Sequence, residues 1–259
     1  MSNTHGAFVW YELATIDTAA AKNFYGKVVG WTDADMEGPP GMTYKVLSAG
    51  GVGIGGMVAL TPDARAAGAR PGWIGYIGVD DVDASARKVT ELGGSIHRGP
   101  DDIPTIGRFA LAADPGGGLF TLFKPMGGPE PMPVPRGTPG HAGWRELMAA
   151  DGAAAFDFYA ELFGWTKDMA VDMGAMGVYQ TFAKDGVQTG GMMTKPPGTP
   201  GGPAWGYYFN VESATAGLER IKAAGGQVTN GPMEVPNGDW IVQGVDPQGA
   251  FFAIVGPRG

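Results

Sequence analysis

The chain repeats itself, and that repeat restricts the fold more than any other feature. Trp10-Tyr11-Glu12-Leu13 returns as Trp144-Arg145-Glu146-Leu147, and Asp17, Phe24-Tyr25 and Gly30-Trp31 return as Asp151, Phe158-Tyr159 and Gly164-Trp165, every pair 134 residues apart. Gly55-Gly56-Met57 matches Gly190-Gly191-Met192 at a spacing of 135. Trp73, Gly93-Gly94, Pro100, Asp114-Pro115 and Phe120 then match Trp205, Gly225-Gly226, Pro232, Asp246-Pro247 and Phe252 at 132. A register that drifts this little over a whole domain marks two tandem copies of one unit. The segment between them, residues 125–140, is rich in Pro and Gly and reads as an extended linker. The expected division is therefore a first domain over 1–124, the linker, and a second domain over 141–259.

Each copy carries the same succession of elements. Phe8–Ala14 reads as a strand, and Asp17 caps a helix from Thr18 to about Val29 whose Ala21, Phe24, Tyr25 and Val28 share one apolar face. Gly30 stops it. Strands follow at Thr43–Ser48 and Val52–Leu60, turning at Ala49-Gly50-Gly51. After a loop rich in Pro and Gly come strand Trp73–Val79, a helix from Val82 to Leu92 closed by Gly93-Gly94, and strands Gly107–Ala113 and Leu119–Phe123. The pattern gives β-α-β-β twice per copy and leaves one further strand of each unit unplaced. The composition, with 46 Gly and 21 Pro, suits short strands and tight turns in an α+β fold. One such unit cannot bury both faces of its small sheet, but two that pair their sheets form an open cup able to hold a ligand.

The run from Trp10 to Trp31, with Val79-Asp80-Asp81-Val82-Asp83, Leu92-Gly93-Gly94 and Asp114-Pro115-Gly116-Gly117, resembles the vicinal oxygen chelate superfamily. That superfamily includes glyoxalase I, extradiol dioxygenases, fosfomycin-resistance proteins and bleomycin-binding proteins. The resemblance covers both copies. It implies two tandem domains, each of two paired βαβββ modules forming a cupped open barrel. It leaves the chemistry open, because the superfamily holds several reactions and at least one pure binder. Its metal-dependent members draw ligands from positions that fall in this chain at Trp10, Ile74, Thr121 and near Gly55, and in the second copy at Trp144, Gly206, Ala253 and near Gly190. None of these offers a His or a carboxylate, and a hard or borderline cation needs several such donors together. The expectation is no metal and no cofactor.

Composition narrows the remaining classes. A net charge of −8 opposes attraction to nucleic acid or an anionic membrane surface. No apolar run reaches the roughly 18 residues that a spanning helix needs, and the start shows no basic segment followed by a hydrophobic stretch, so a cytoplasmic location is expected. Without cysteine there is no thiol nucleophile and no thiolate metal site. The three histidines, His5, His97 and His141, are expected at strand entrances or on the surface. No Gly-x-Ser-x-Gly turn supports a serine triad, and Gly53-Ile54-Gly55-Gly56 lacks the strand–glycine–helix context of a dinucleotide site.

What is left for a cup is aromatic, with two acids. Alternation along a strand puts Trp10 and Glu12 on one face, and Trp144 and Glu146 likewise. Glu12 and Glu146 are the candidate catalytic or polar groups: desolvation raises a carboxylic acid's pKa and suits it to general-base work. The alternative is that each accepts hydrogen bonds from a neighbouring Tyr or backbone group and fixes the sheet. Tyr44, Met57, Trp73, Tyr76, Tyr179, Met192, Trp205 and Tyr208 join Trp10 and Trp144 as candidates to line a pocket for a flat or apolar ligand, with ordinary core packing as the competing role. The sequence therefore points to a small organic molecule as ligand. The alternative is a metal-dependent lyase, isomerase or dioxygenase with atypical ligands. Because fusion can supply both halves of a site internally, a monomer is as acceptable as a homodimer.

Overall fold

A computed structural model describes residues 4–37, 43–127 and 134–259. In the first copy β1 (Phe8–Thr15), α1 (Thr18–Val28), β2 (Thr32–Glu37), β3 (Thr43–Ala49) and β4 (Val52–Ala59) form one module. After a short α2 (Pro62–Ala66), the strands and helix β5 (Gly72–Gly78), α3 (Val82–Glu91), β6 (Ser95–Ile103), β7 (Gly107–Ala113) and β8 (Leu119–Pro125) form the next. The second copy repeats this as β9 (Ala142–Ala149), α4 (Gly152–Phe163), β10 (Thr166–Asp172), β11 (Val178–Lys184) and β12 (Val187–Thr194), with a single 3-10 turn at Gly174–Met176. Its last module is β13 (Ala204–Asn210), α5 (Ala214–Ala223), β14 (Gln227–Glu234), β15 (Trp240–Val245) and β16 (Phe251–Gly256). Every module is thus βαβββ.

The local signals read from sequence act as expected. Asp17 and Asp151 are extended N-caps whose carboxylates each accept from two backbone N–H groups of the first helical turn. Gly164 ends α4 in the left-handed conformation at φ 72°, open to glycine at no steric cost. The strands that the hydrophobic pattern leaves unplaced are β2 and β6, with β10 and β14 in the second copy. All four are sheet edges: the strand orders are β2-β3-β4-β1-β5-β8-β7-β6 and β10-β11-β12-β9-β13-β16-β15-β14. An edge strand has no apolar face to advertise. β2 reads TDADME and β6 carries Pro100, residues that discourage pairing with a foreign strand. Within each sheet the first and last strands of a module run parallel (β1 with β4, β5 with β8, β9 with β12, β13 with β16), and the last three strands of each module pair antiparallel in succession.

By close contact the chain divides differently from its repeat. One compact unit comprises Met1–Val9, Ile74–Met132 and Arg145–Trp205, and the other Trp10–Trp73, Pro133–Trp144 and Gly206–Gly259, so each draws a module from both copies. In the second of these units Tyr25 and Phe24 on α1 meet Phe252 of β16 at 5.5 and 5.4 Å between ring centroids, and Trp31 meets Phe209 at 4.7 Å. A buried polar chain runs through these rings: the Trp73 indole donates to the Tyr25 hydroxyl at 2.9 Å, which donates to Asp246 Oδ2 at 3.2 Å. The other unit builds the same chain from Trp205, Tyr159 and Asp114 Oδ2, at 2.9 and 3.0 Å. Burial pushes the Tyr25 phenol well above its ordinary value, and the charge of Asp246 adds to that effect. The hydroxyl stays protonated and donates.

Candidate ligand-binding site

Alternation along β1 separates two roles. Tyr11, Leu13 and Thr15 are buried, and Tyr11 packs on Tyr207 and Phe209; Trp10 and Glu12, on the opposite face, are half-buried. Glu12 stands in register with Gly56 of β4, and Tyr44 of β3 stands opposite Val58 on the same strand face. The Tyr44 ring bends over Gly56, where any Cβ would collide with the phenol. From there its hydroxyl accepts from Trp10 Nε1 at 2.9 Å and bonds the Glu12 carboxylate. Desolvation, and after it the charge of Glu12, holds the Tyr44 phenol far above its ordinary value, so it donates and never serves as a base.

The second copy repeats the seat. Glu146 stands in register with Gly191, and the Tyr179 ring lies where a Cβ on Gly191 would be. The Gly-Gly-Met runs are thereby explained. Gly55 and Gly190 let the Tyr11 and Arg145 carbonyls approach, Gly56 and Gly191 seat tyrosine rings, and Met57 and Met192 fill the opposite, buried face beside Leu13 and Leu147. These glycines serve aromatic packing and hold no phosphate-binding geometry.

The aromatic candidates therefore split by strand parity. Trp73 and Trp205 turn onto the helix side, where they donate to Tyr25 and Tyr159, and they join Met57 and Met192 in core packing. Tyr76 lies on the other face of β5, edge-on to Phe123 and in register with Thr121. Trp144 and Tyr208 come together in one apolar cluster with Ile241, Ala253, Val255 and Val235, and the Tyr208 hydroxyl accepts from Gln243 Nε2 at 2.5 Å.

Among the described residues no three of His, Cys, Asp and Glu gather as a cation would require. The positions that the resemblance assigns to metal ligands are otherwise engaged. Trp10 donates its only polar hydrogen to Tyr44, Ala253 is fully buried beside Trp144, and Thr121 is buried. This donor set does not fit a divalent ion. His5 sits 3.7 Å from Asp80, His97 is exposed beside Ser95 at 3.2 Å, and desolvation lowers the pKa of half-buried His141. Sequence reading gave no role to Asp114, Asp246 or Gln248. Asp114 and Asp246 mark the repeat, and Asp114 also the resemblance; an Asp-Pro turn in both copies, each with a helix Tyr to pair with, is the available signal.

Comparison with known proteins gives a consistent family. The sequence profile of the Glyoxalase/Bleomycin resistance protein/Dioxygenase superfamily matches residues 7–122 and again 139–254. CFP32 of Mycobacterium tuberculosis, provisionally named a glyoxylase, is 32% identical over 253 residues, covering 96% of this chain and 94% of its own. The anthracycline biosynthesis protein DnrV of Streptomyces peucetius is 32% identical over 266 residues, covering 96% and 93%. Among solved structures, the Mn(II)-bound glyoxalase of Novosphingobium aromaticivorans superposes with a TM-score of 0.69 at 15% identity, over 100% of this chain and 84% of that one, a likeness of fold. With one profile spanning each repeat and relatives aligned end to end, this chain belongs to the glyoxalase/bleomycin resistance protein/dioxygenase superfamily as a member with two tandem domains.

Proposed function

We propose that the chain binds a small organic molecule, largely apolar or aromatic, on the helix-free faces of its sheets, without a resident metal ion and with Glu12 and Glu146 as polar handles. One observation carries the reading. Positions 144 and 253, both metal-ligand positions in the resemblance, are here Trp144 and Ala253 and belong to a single apolar cluster with Tyr208. Most of that cluster is buried, and the half-buried Trp144 indole at its margin favours a flat ligand by stacking. The Trp10–Tyr44–Glu12 chain supplies the polar groups on the same face of β1, and an exchange of the Tyr44–Glu12 hydrogen bond for a ligand N–H or O–H is the role read for the carboxylate. The names of two relatives, DnrV and DauV, place them in anthracycline biosynthesis, which agrees with a polycyclic aromatic ligand class.

The test is a titration of tryptophan fluorescence with a planar anthraquinone, on protein purified without chelators and assayed for metal. Saturable quenching with metal well below one equivalent is expected. Stoichiometric metal that is needed for binding would replace this reading with a metal-dependent lyase, isomerase or dioxygenase. Glu12→Gln keeps the side chain's shape and removes its charge, so affinity should fall several-fold while the melting temperature holds. Unchanged affinity with a stability loss of roughly 1.5 to 3 kcal/mol would make Glu12 a framework residue.

A further inference from the structure

The two copies part company at one turn. In Asp246-Pro247-Gln248 the Gln248 side chain folds onto the junction between β1 and α1. Its Oε1 accepts from Ile16 N at 3.1 Å and Asp17 N at 2.7 Å, and its Nε2 donates to the Asp17 carbonyl at 2.8 Å. The corresponding turn in the other unit is Asp114-Pro115-Gly116, facing Ala150-Asp151 at the junction of β9 and α4.

The framework around the two turns is the same. Asp246 Oδ1 accepts from Gln248 N and Ala250 N at 2.8 and 3.0 Å, and Asp114 Oδ1 from Gly116 N and Gly118 N at 2.8 and 2.9 Å. Asp17 and Asp151 cap their helices identically, and each backbone carbonyl takes one helical N–H, from Ala21 and Ala155, at 3.0 Å. Only the carboxamide is missing, because glycine has none. The N–H groups of Ala150 and Asp151 consequently have no hydrogen-bond partner among the described residues. A groove of about 180 Å³ lies over them, walled by Pro115, Ala149, Ala154 and Ala155.

We propose that this groove is a subsite for the planar primary-amide end of a small molecule, held as Gln248 is held in the twin turn. The ligand oxygen accepts from Ala150 and Asp151 N–H, its nitrogen donates to the Asp151 carbonyl, and a short apolar tail rests on Ala154, Ala155 and Pro115. A helix start alone suggests an anion, but two features favour a neutral amide. The Asp151 carbonyl, which already accepts from Ala155 N, keeps a second lone pair for a donor such as the one Gln248 Nε2 gives Asp17, and a carboxylate has no such donor; Asp114 and Asp151 also line the groove. The site is separate from the sheet faces discussed above and does not depend on what they bind.

Propionamide is the probe, added to the full chain with backbone amides followed by NMR. Saturable shifts are expected at Ala150 and Asp151, with a Kd on the order of millimolar for so few atoms. Gln248→Gly should open the twin groove and add a matching set of shifts at Ile16 and Asp17. Gly116→Gln should abolish the response at Ala150 and Asp151 by supplying the amide internally. A Cβ there meets Ala150 Cβ at 3.0 Å, so if that variant misfolds, the Gln248→Gly arm and the ligand series still decide. Absence of saturation, an equal response to propionate or N,N-dimethylpropionamide, or a Gln248→Gly variant without the second set of shifts would each overturn the proposal.

Discussion

Replacing Tyr25 by Phe removes one oxygen and no packing, which makes it a direct measure of the buried polar chain. The hydroxyl is fully buried, accepts from the Trp73 indole at 2.9 Å and donates to Asp246 Oδ2 at 3.2 Å. Asp246 keeps the two backbone donors on its other oxygen, at 2.8 and 3.0 Å, so the turn should survive. What is lost is a hydrogen bond to a charged acceptor, about 1.5 to 3 kcal/mol, together with a stranded indole N–H, about 1 kcal/mol more. The sum of about 2.5 to 4 kcal/mol corresponds to a melting temperature lower by about 5 to 16 °C at this chain length. Alkaline pH adds a second signature. The folded-state pKa of Tyr25 lies well above its ordinary value of 10.0, so its stabilising contribution is complete below pH 10 and declines as the unfolded chain ionises above it. The wild type should therefore lose about 1.4 kcal/mol per pH unit from this group above pH 10, a slope the Phe variant lacks, so the gap between the two narrows. Urea unfolding at neutral and alkaline pH measures both effects. A loss under about 1 kcal/mol at neutral pH, or parallel pH dependences, would refute the reasoning.

Two other substitutions test the packing directly. Thr15 is fully buried and its Oγ1 has no hydrogen-bond partner among the described residues, whereas the equivalent position in the second copy is Ala149. Thr15→Val should therefore stabilise by about 1 kcal/mol, read as a rise in melting temperature; a fall would reveal a partner for the hydroxyl. Gly56→Ala should evict the Tyr44 ring and break its bond to Trp10, costing about 1 to 3 kcal/mol and changing tryptophan emission. An unaltered spectrum would show that the ring does not depend on that glycine.

Much of the architecture was legible without coordinates because it is local. Asp17 and Asp151 are read as caps from their chemistry, and the apolar spacing of Ala21, Phe24, Tyr25 and Val28 gives the buried face of α1 that the structure shows. Period-two alternation is enough to place Trp10 and Glu12 together and Tyr11 and Leu13 opposite. The edge strands β2 and β6 escaped because an edge needs no apolar pattern and carries charge and proline instead. For the same reason, a purely local reading could not sort Met57 and Trp73 from Tyr44 and Tyr76. All are apolar or aromatic residues on strands, and only the register with neighbouring strands says which face of the sheet each one joins.

The sequence by itself determined the duplication, the β-α-β-β order within each module, and the pairing of an indole with a carboxylate on one strand face. Tertiary structure decided which modules share a compact unit, why the glycines of β4 and β12 are glycines, and where the buried acids find their donors. Tyr44 reaches Trp10 across 34 residues, and Tyr25 reaches Asp246 across 221. Periodicity reports whether a residue is buried, a property of one position. Which residue it meets depends on two positions far apart in the chain, and only strand register within a module and packing between modules fix that.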